Sequence, residues 1–166
     1  VSGIKEMPYV HIHEGGDLMI KPTKILVPTD FSQQSAKAFD RALAIAKEAG
    51  AEVVLLHVVD QDIQACNMEY CIDEDEIQRQ EKAMVAGAGD RLGKEVEKFE
   101  LARDVKVRTE VREGIPYNEI LKYEDLNNVD LIVIGSRGRS ALVKFFLGSV
   151  ASNVLKGAKG EVLLVK

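Results

Sequence analysis

The residues best placed to do chemistry in this chain are three glycines and a serine spaced Gly-x2-Gly-x9-Gly-Ser. They lie in the stretch Ile134-Gly135-Ser136-Arg137-Gly138-Arg139-Ser140 and in the pair Gly148-Ser149. An apolar run at 129–134 precedes them and reads as a buried strand, and the pattern turns helical again after Gly148-Ser149. Glycine at such a handover permits positive φ and lets a ligand come close to the main chain. The helix start that follows offers unpaired N–H groups and a partial positive charge, a seat for phosphate. Arg137 and Arg139 add local positive charge. The competing reading is a plain turn followed by a helix cap. The chemistry expected is the holding of a phosphate chain more than the breaking of it. The sequence has no Gly-x4-Gly-Lys-Ser/Thr loop, and no candidate base stands near the glycines; Asp30 and Asp60 approach only through the fold.

Other reactive side chains carry weaker signals. Cys66 and Cys71 are separated by four residues, which is not the Cys-x2-Cys spacing of redox or zinc motifs, and no second ligand pair accompanies them. They read as two free thiols in a loop. His11 and His13 share a strand face in principle, but a solvated terminus is the simpler reading. The acidic run Asp73-Glu74-Asp75-Glu76 suits the start of a helix, where negative charge is favoured. It lacks the ordered ligand spacing of a calcium loop. His57, inside an apolar strand, reads as a packed and hydrogen-bonded core residue. No catalytic residue and no protein-built metal site is assigned.

These residues must be positioned by elements that the sequence marks in order. The run 24–29 is a first strand ended by Pro28, which cannot donate to a ladder. A helix follows, capped by Asp30 or Ser32, with Phe39, Ala42, Leu43 and Ala46 on one face and Gly50 closing it. The run 53–59 is apolar without alternation, which implies burial on both faces and a parallel sheet. Val85, Ala88, Leu92, Val96 and Phe99 trace a second helix interrupted by Gly87, Gly89 and Gly93. Each glycine costs roughly 1 kcal/mol against alanine, so this helix is either locally mobile or closely packed by a neighbour. Residues 105–111 alternate valine or threonine with charge and predict an edge strand. Pro116 starts a third helix with Ile120, Leu121 and Leu126 inward and Asn127-Asn128 at its end. Strand 129–134, a helix over 149–156 with Val150 and Val154 on one face, Gly157 and Gly160 in a turn, and a last strand at 162–165 complete the chain.

Five alternations of strand and helix predict a doubly wound α/β fold, Rossmann-like, with a five-stranded parallel sheet in the order 3-2-1-4-5. The winding reverses between the first and fourth strands, and ligands of open α/β sheets bind beside such a reversal, at the carboxyl ends of strands. Pro28, Thr29 and Asp30 would there meet Gly135. The glycines would hold phosphates, with Asp30 and Val58 on the far side, suited to base and ribose. The last strand would form an apolar edge, which predicts a homodimer through 162–165 unless the N-terminal residues or a loop cover it.

Composition bounds the rest. The chain has 166 residues, 46% apolar and 30% charged, with a net charge of −5, which fits one globular domain and argues against a general nucleic-acid binder. No run approaches the ~18 apolar residues of a membrane span, and no signal-peptide core opens the sequence, so the cytoplasm is the expected compartment. Residues 1–21 lack a clear period and are expected to be an extension or an artificial remnant, with Met19 as an internal start, ahead of a single domain at 22–166.

Over residues 23–166 the sequence resembles the universal stress proteins, in their ATP-binding branch. The likeness is carried by Lys24-Ile-Leu-Val-Pro-Thr-Asp30-Phe-Ser32, by Val54-Leu-Leu-His57-Val58-Val-Asp60, and by the glycine signature ending Gly148-Ser149-Val150. The resemblance implies an adenine nucleotide alpha hydrolase-like fold, dimerisation through the last strand, and ATP as ligand, with Mg2+ or Mn2+ held by the phosphates and water. It implies that Pro28, Thr29, Asp30 and Val58 form the adenine and ribose side. Gly135, Gly138, Gly148, Ser149 and Val150 match the family's phosphate and ribose contacts, and Ile134 is counted among the cofactor-binding residues. Arg137 stands where the family varies and adds charge for a polyphosphate, and Ala151 stands where a hydroxyl residue often follows, a lost hydrogen bond of about 0.5–1.5 kcal/mol. The function implied is an ATP-dependent regulatory module in stress response with an unidentified protein partner. The alternatives are a slow ATP hydrolase or phosphotransferase and a ligand-free dimeric scaffold.

Overall fold

A computed structural model describes residues 21–60, 74–138 and 147–166. Cys66, Cys71, His11, His13, Asp73, Arg139 and Ser140 lie outside those residues. The described elements run β1 (Lys24–Pro28), α1 (Gln33–Ala49), β2 (Glu52–Val59), α2 (Glu74–Glu97), a 3-10 turn (Glu100–Arg103), β3 (Lys106–Glu113), α3 (Pro116–Asn127), β4 (Leu131–Gly135), α4 (Ser149–Gly157) and β5 (Glu161–Val165). The sheet is parallel throughout, in the order β3-β2-β1-β4-β5. The fold is thus the doubly wound α/β arrangement, with the winding reversed between β1 and β4.

Strand composition explains the layering. Ile25, Val27, Val53, Leu55, Leu131 and Val133 point into one core, closed by Phe39, Leu43 and Ile45 of α1 and Leu92 of α2. Leu26, Val54, Leu56, Ile132 and Ile134 point the other way, into a second core closed by Ile120 and Tyr123 of α3 and Ala151 and Val154 of α4. Strands buried on both faces therefore read as continuous apolar runs. β3, at the edge, keeps Lys106, Arg108 and Thr109 in water. β5 forms the other edge and is half-buried along its length.

Several elements differ from expectation. β4 begins at Leu131, because Asp130 uses its carboxylate to tie the start of β1 and Val129 serves as a connection. Phe99 lies beyond the end of α2 and meets Phe39 edge-on at 5.0 Å between centroids. Leu126 is 67% exposed, whereas Tyr123 and Glu124 of the same helix are buried. Gly157 is helical, with Leu121 against it. Among the described residues no neighbour packs closely on α2 at Gly87, Gly89 or Gly93, since a β-carbon there would meet nothing within 4 Å.

Candidate functional site

The sequence leaves β1 through a sharp turn that two side chains define. Ser32 caps α1, its hydroxyl accepting from Ser35 N at 3.2 Å. Asp30 is not the cap: its Oδ1 accepts from Ser32 N at 3.0 Å and stiffens the turn before it. Thr29 is buried. Its N donates to Leu56 O, and its hydroxyl accepts from Phe31 N at 3.0 Å and bonds Ser35 Oγ at 3.1 Å. Between Asp30 and Ser32 stands Phe31 with φ 62, a left-handed conformation that is rare for a bulky residue.

Opposite this turn the end of β4 folds over. Ser136 N donates to Val165 O at 2.7 Å, and Ser136 O accepts from Gly148 N at 2.9 Å. The second bond ties the two glycine groups into one corner. α4 starts immediately after Gly148, and no side chain caps it, so its first amides have no partner within the helix. The glycines have a different use from the one expected. None of the three has positive φ; among the described residues the positive-φ glycines are Gly50 and Gly114. Their value is closeness. A β-carbon at Gly135 would lie 3.0 Å from the carbonyl group of Gln34, and one at Gly138 would lie 2.7 Å from Asp30 Oδ2.

Between turn and corner lies a cavity of about 370 Å³, in the range of small-molecule sites. All eleven residues singled out as candidate binders line it: Pro28, Thr29, Asp30, Val58, Ile134, Gly135, Arg137, Gly138, Gly148, Ser149 and Val150. Asp60 does not. The wall also includes Leu56, His57, Pro116, Ile120, Leu147 and Ala151, which the glycine pattern had no means to indicate. Pro116 and Ile120 come from α3, a further segment brought in by the fold. His57 is half-buried on this wall rather than in the core, and its Nδ1 lies 2.8 Å from Thr29 O. A carbonyl only accepts, so Nδ1 carries the proton.

The cavity wall thus combines the apolar side chains of Pro28, Leu56, Val58 and Ile120 with Arg137, Asp30 and the glycine main chain. Such a mixed lining suits a flat apolar group joined to an anionic tail. Among the described residues no group of three or more His, Cys, Asp or Glu side chains is arranged to hold a metal ion, and no helix is long and apolar enough to cross a membrane.

Comparison with known proteins agrees with the fold. The universal stress protein family matches residues 22–166. Universal stress protein MJ0531 of Methanocaldococcus jannaschii is 37% identical over 147 residues, covering 86% of this chain and 81% of that protein. The solved structure of hypothetical protein MJ0577 has 31% identity and a TM-score of 0.75, over 89% of this chain and 97% of that one. A universal stress protein solved in complex with cAMP has 24% identity and a TM-score of 0.56, over 87% of this chain and 96% of that one, a likeness of fold alone.

Proposed function

Because the chain belongs to the universal stress protein family, we propose that it is an ATP-binding module that acts as a nucleotide-dependent regulator in stress response. The observation that carries this reading is the bond from Gly148 N to Ser136 O. It joins two glycine groups ten residues apart beside the uncapped start of α4, at the mouth of an apolar cavity. The adenine and ribose would lie toward Pro28, Thr29, Asp30 and Val58. The phosphates would lie against Gly135, Gly138, Gly148, Ser149 and Val150, with Arg137 adding charge. Ala151 offers no hydroxyl, so the tail rests more heavily on main-chain donors. Mg2+ or Mn2+ would ride on the phosphate oxygens and water. The cytoplasm is the compartment that suits such a ligand.

Dimerisation through β5 belongs to the same reading. Val162, Leu163, Leu164 and Val165 stay half-buried at an open sheet edge, the sort of edge a second strand covers. Light scattering at micromolar protein should give twice the chain mass; a monomer would refute this part.

The test of the ligand is mass spectrometry of what denatured, purified protein releases, followed by calorimetric titration. Intact ATP supports a regulatory binder. ADP, with turnover of added ATP, would replace it with a slow hydrolase. An empty site and no heat of binding would leave a scaffold. Gly138→Val should abolish binding.

A further inference from the structure

Phe31 holds a backbone conformation that its own side chain disfavours, and it sits between the two cavity residues Thr29 and Asp30 on one side and the cap of α1 on the other. Its ring does not line the cavity; it is engaged elsewhere. The His57 ring lies 4.5 Å away, tilted by 45°, and the guanidinium of Arg91 lies over the Phe31 ring, 4.0 Å from its centroid. That distance is within cation–π range. Arg91 itself is exposed and comes from α2, none of whose described residues lines the cavity. It is rooted there by its neighbour Leu92, which is fully buried.

We propose that Arg91 is a positioning residue for the nucleotide site, stacking on Phe31 to hold the left-handed turn that sets Thr29 and Asp30 on the cavity wall. The proposal rests on the reading of that cavity as an ATP site. A residue with φ 62 and a large side chain relaxes toward extended or right-handed backbone when released. Either change redirects the Asp30 carboxylate, whose Oδ2 stands next to Gly138, and loosens the Thr29 hydroxyl from Phe31 N. Arg91 thus supplies from outside what the turn lacks from within.

Calorimetric titration of the full chain with ATP tests this. Arg91→Ala should weaken ATP binding about two- to fivefold, the size of one exposed cation–π contact, while Arg91→Lys, which retains a cation over the ring, should recover most of the loss. In a Phe31→Gly background, where glycine takes φ 62 unaided, Arg91→Ala should change nothing further. Phe31→Leu, which keeps bulk and lacks the ring face, gives the same cycle if the glycine variant does not fold. Unchanged affinity in Arg91→Ala overturns the proposal. So does an equal loss in both backgrounds, which would mean that Arg91 acts on ATP through its charge alone. Failure of the unmutated chain to bind ATP would instead refute the nucleotide reading, and this inference with it.

Discussion

Replacing Gly135 with alanine probes why a glycine ends the central strand. The residue closes β4 with α1 lying directly against it. An added β-carbon would lie 3.0 Å from both the carbonyl carbon and oxygen of Gln34 and 3.2 Å from its Cβ. Non-bonded carbons rest at about 3.5–4.0 Å, so the first turn of α1 would have to withdraw by a few tenths of an ångström. The obstacle is main chain, which cannot rotate aside as the end of a flexible side chain can. Nor can the turn move alone: Ser32 and Ser35 pin it, and Ala38 and Phe39 just beyond are buried in the core. Overpacking of this kind costs about 1–3 kcal/mol. For a domain of this size that is a fall of roughly 3–10 °C in melting midpoint. Thermal and urea denaturation read it directly, with the slope against urea expected to stay constant. A variant that melts at or above the parent temperature would refute the close-packing account and return Gly135 to a conformational or ligand-contact role.

Three further predictions follow from other parts of the fold. Gly89→Ala and Gly93→Ala in α2 should each stabilise by about 0.5–1 kcal/mol, since the added methyl meets nothing and helix propensity alone acts; a fall in urea midpoint would show an undetected neighbour. Glu124→Ala should destabilise by about 2–4 kcal/mol, because the buried carboxylate accepts from Lys159 N at 3.0 Å and Gly160 N at 2.7 Å and both amides would be orphaned; chemical denaturation measures it, and a loss under 1 kcal/mol would contradict the pairing. Asp130 has its carboxyl held below the usual carboxylate range: burial pushes it up, but the bonds from the Thr23 hydroxyl and from Lys24 N and Thr23 N outweigh that. A depressed folded-state value means stability present above the unfolded value near pH 4 and lost as pH falls through the folded one, so Asp130→Asn should flatten the stability profile below pH ~4; an unchanged acid limb would refute this.

What was legible in the sequence is what local pattern controls. Buried parallel strands announce themselves by unbroken apolar runs, and the charged alternation of 105–111 placed an edge strand that the structure extends to Lys106–Glu113. The helix ends were readable at Gly50 and Asn128, both left-handed. What stayed hidden depends on partners far along the chain. Glu124 is buried and Leu126 exposed, against their chemistry, because amides thirty-five and thirty-six residues away need the carboxylate. The left-handed Phe31 was not anticipated from its own residue type, and two of its ring partners, His57 and Arg91, meet it only through the fold. The spacing of the glycines drew attention to a corner that lines the cavity, but the expected reason for them, positive φ, was not the one the backbone shows.

The two ends of the sheet are built to opposite rules, and this bears on where a ligand can act. At the end where the strands start, Asp130 and Glu124 are matched within the chain, although Glu161 Oε2 at the head of β5 is buried without a hydrogen-bond partner among the described residues. Asp130 takes Thr23 and Lys24, its backbone pairs with Lys24 and Glu161, and Glu124 takes the two amides before β5. At the end where they finish, matching is incomplete: α4 begins without a side-chain cap, and Phe31 holds an unfavoured φ. Among the described residues, the helix start without a side-chain cap and the strained Phe31 lie at one rim, while Asp130 and Glu124 anchor the opposite one. A ligand completing the loose rim therefore gains bonds without breaking any at the anchored one. Glu124 and Asp130 variants should accordingly lower stability with little change in ligand affinity, and Arg91 variants the reverse. Melting and titration of the same set of proteins would separate the two rims, and a common rank order in both measurements would show that the division does not exist.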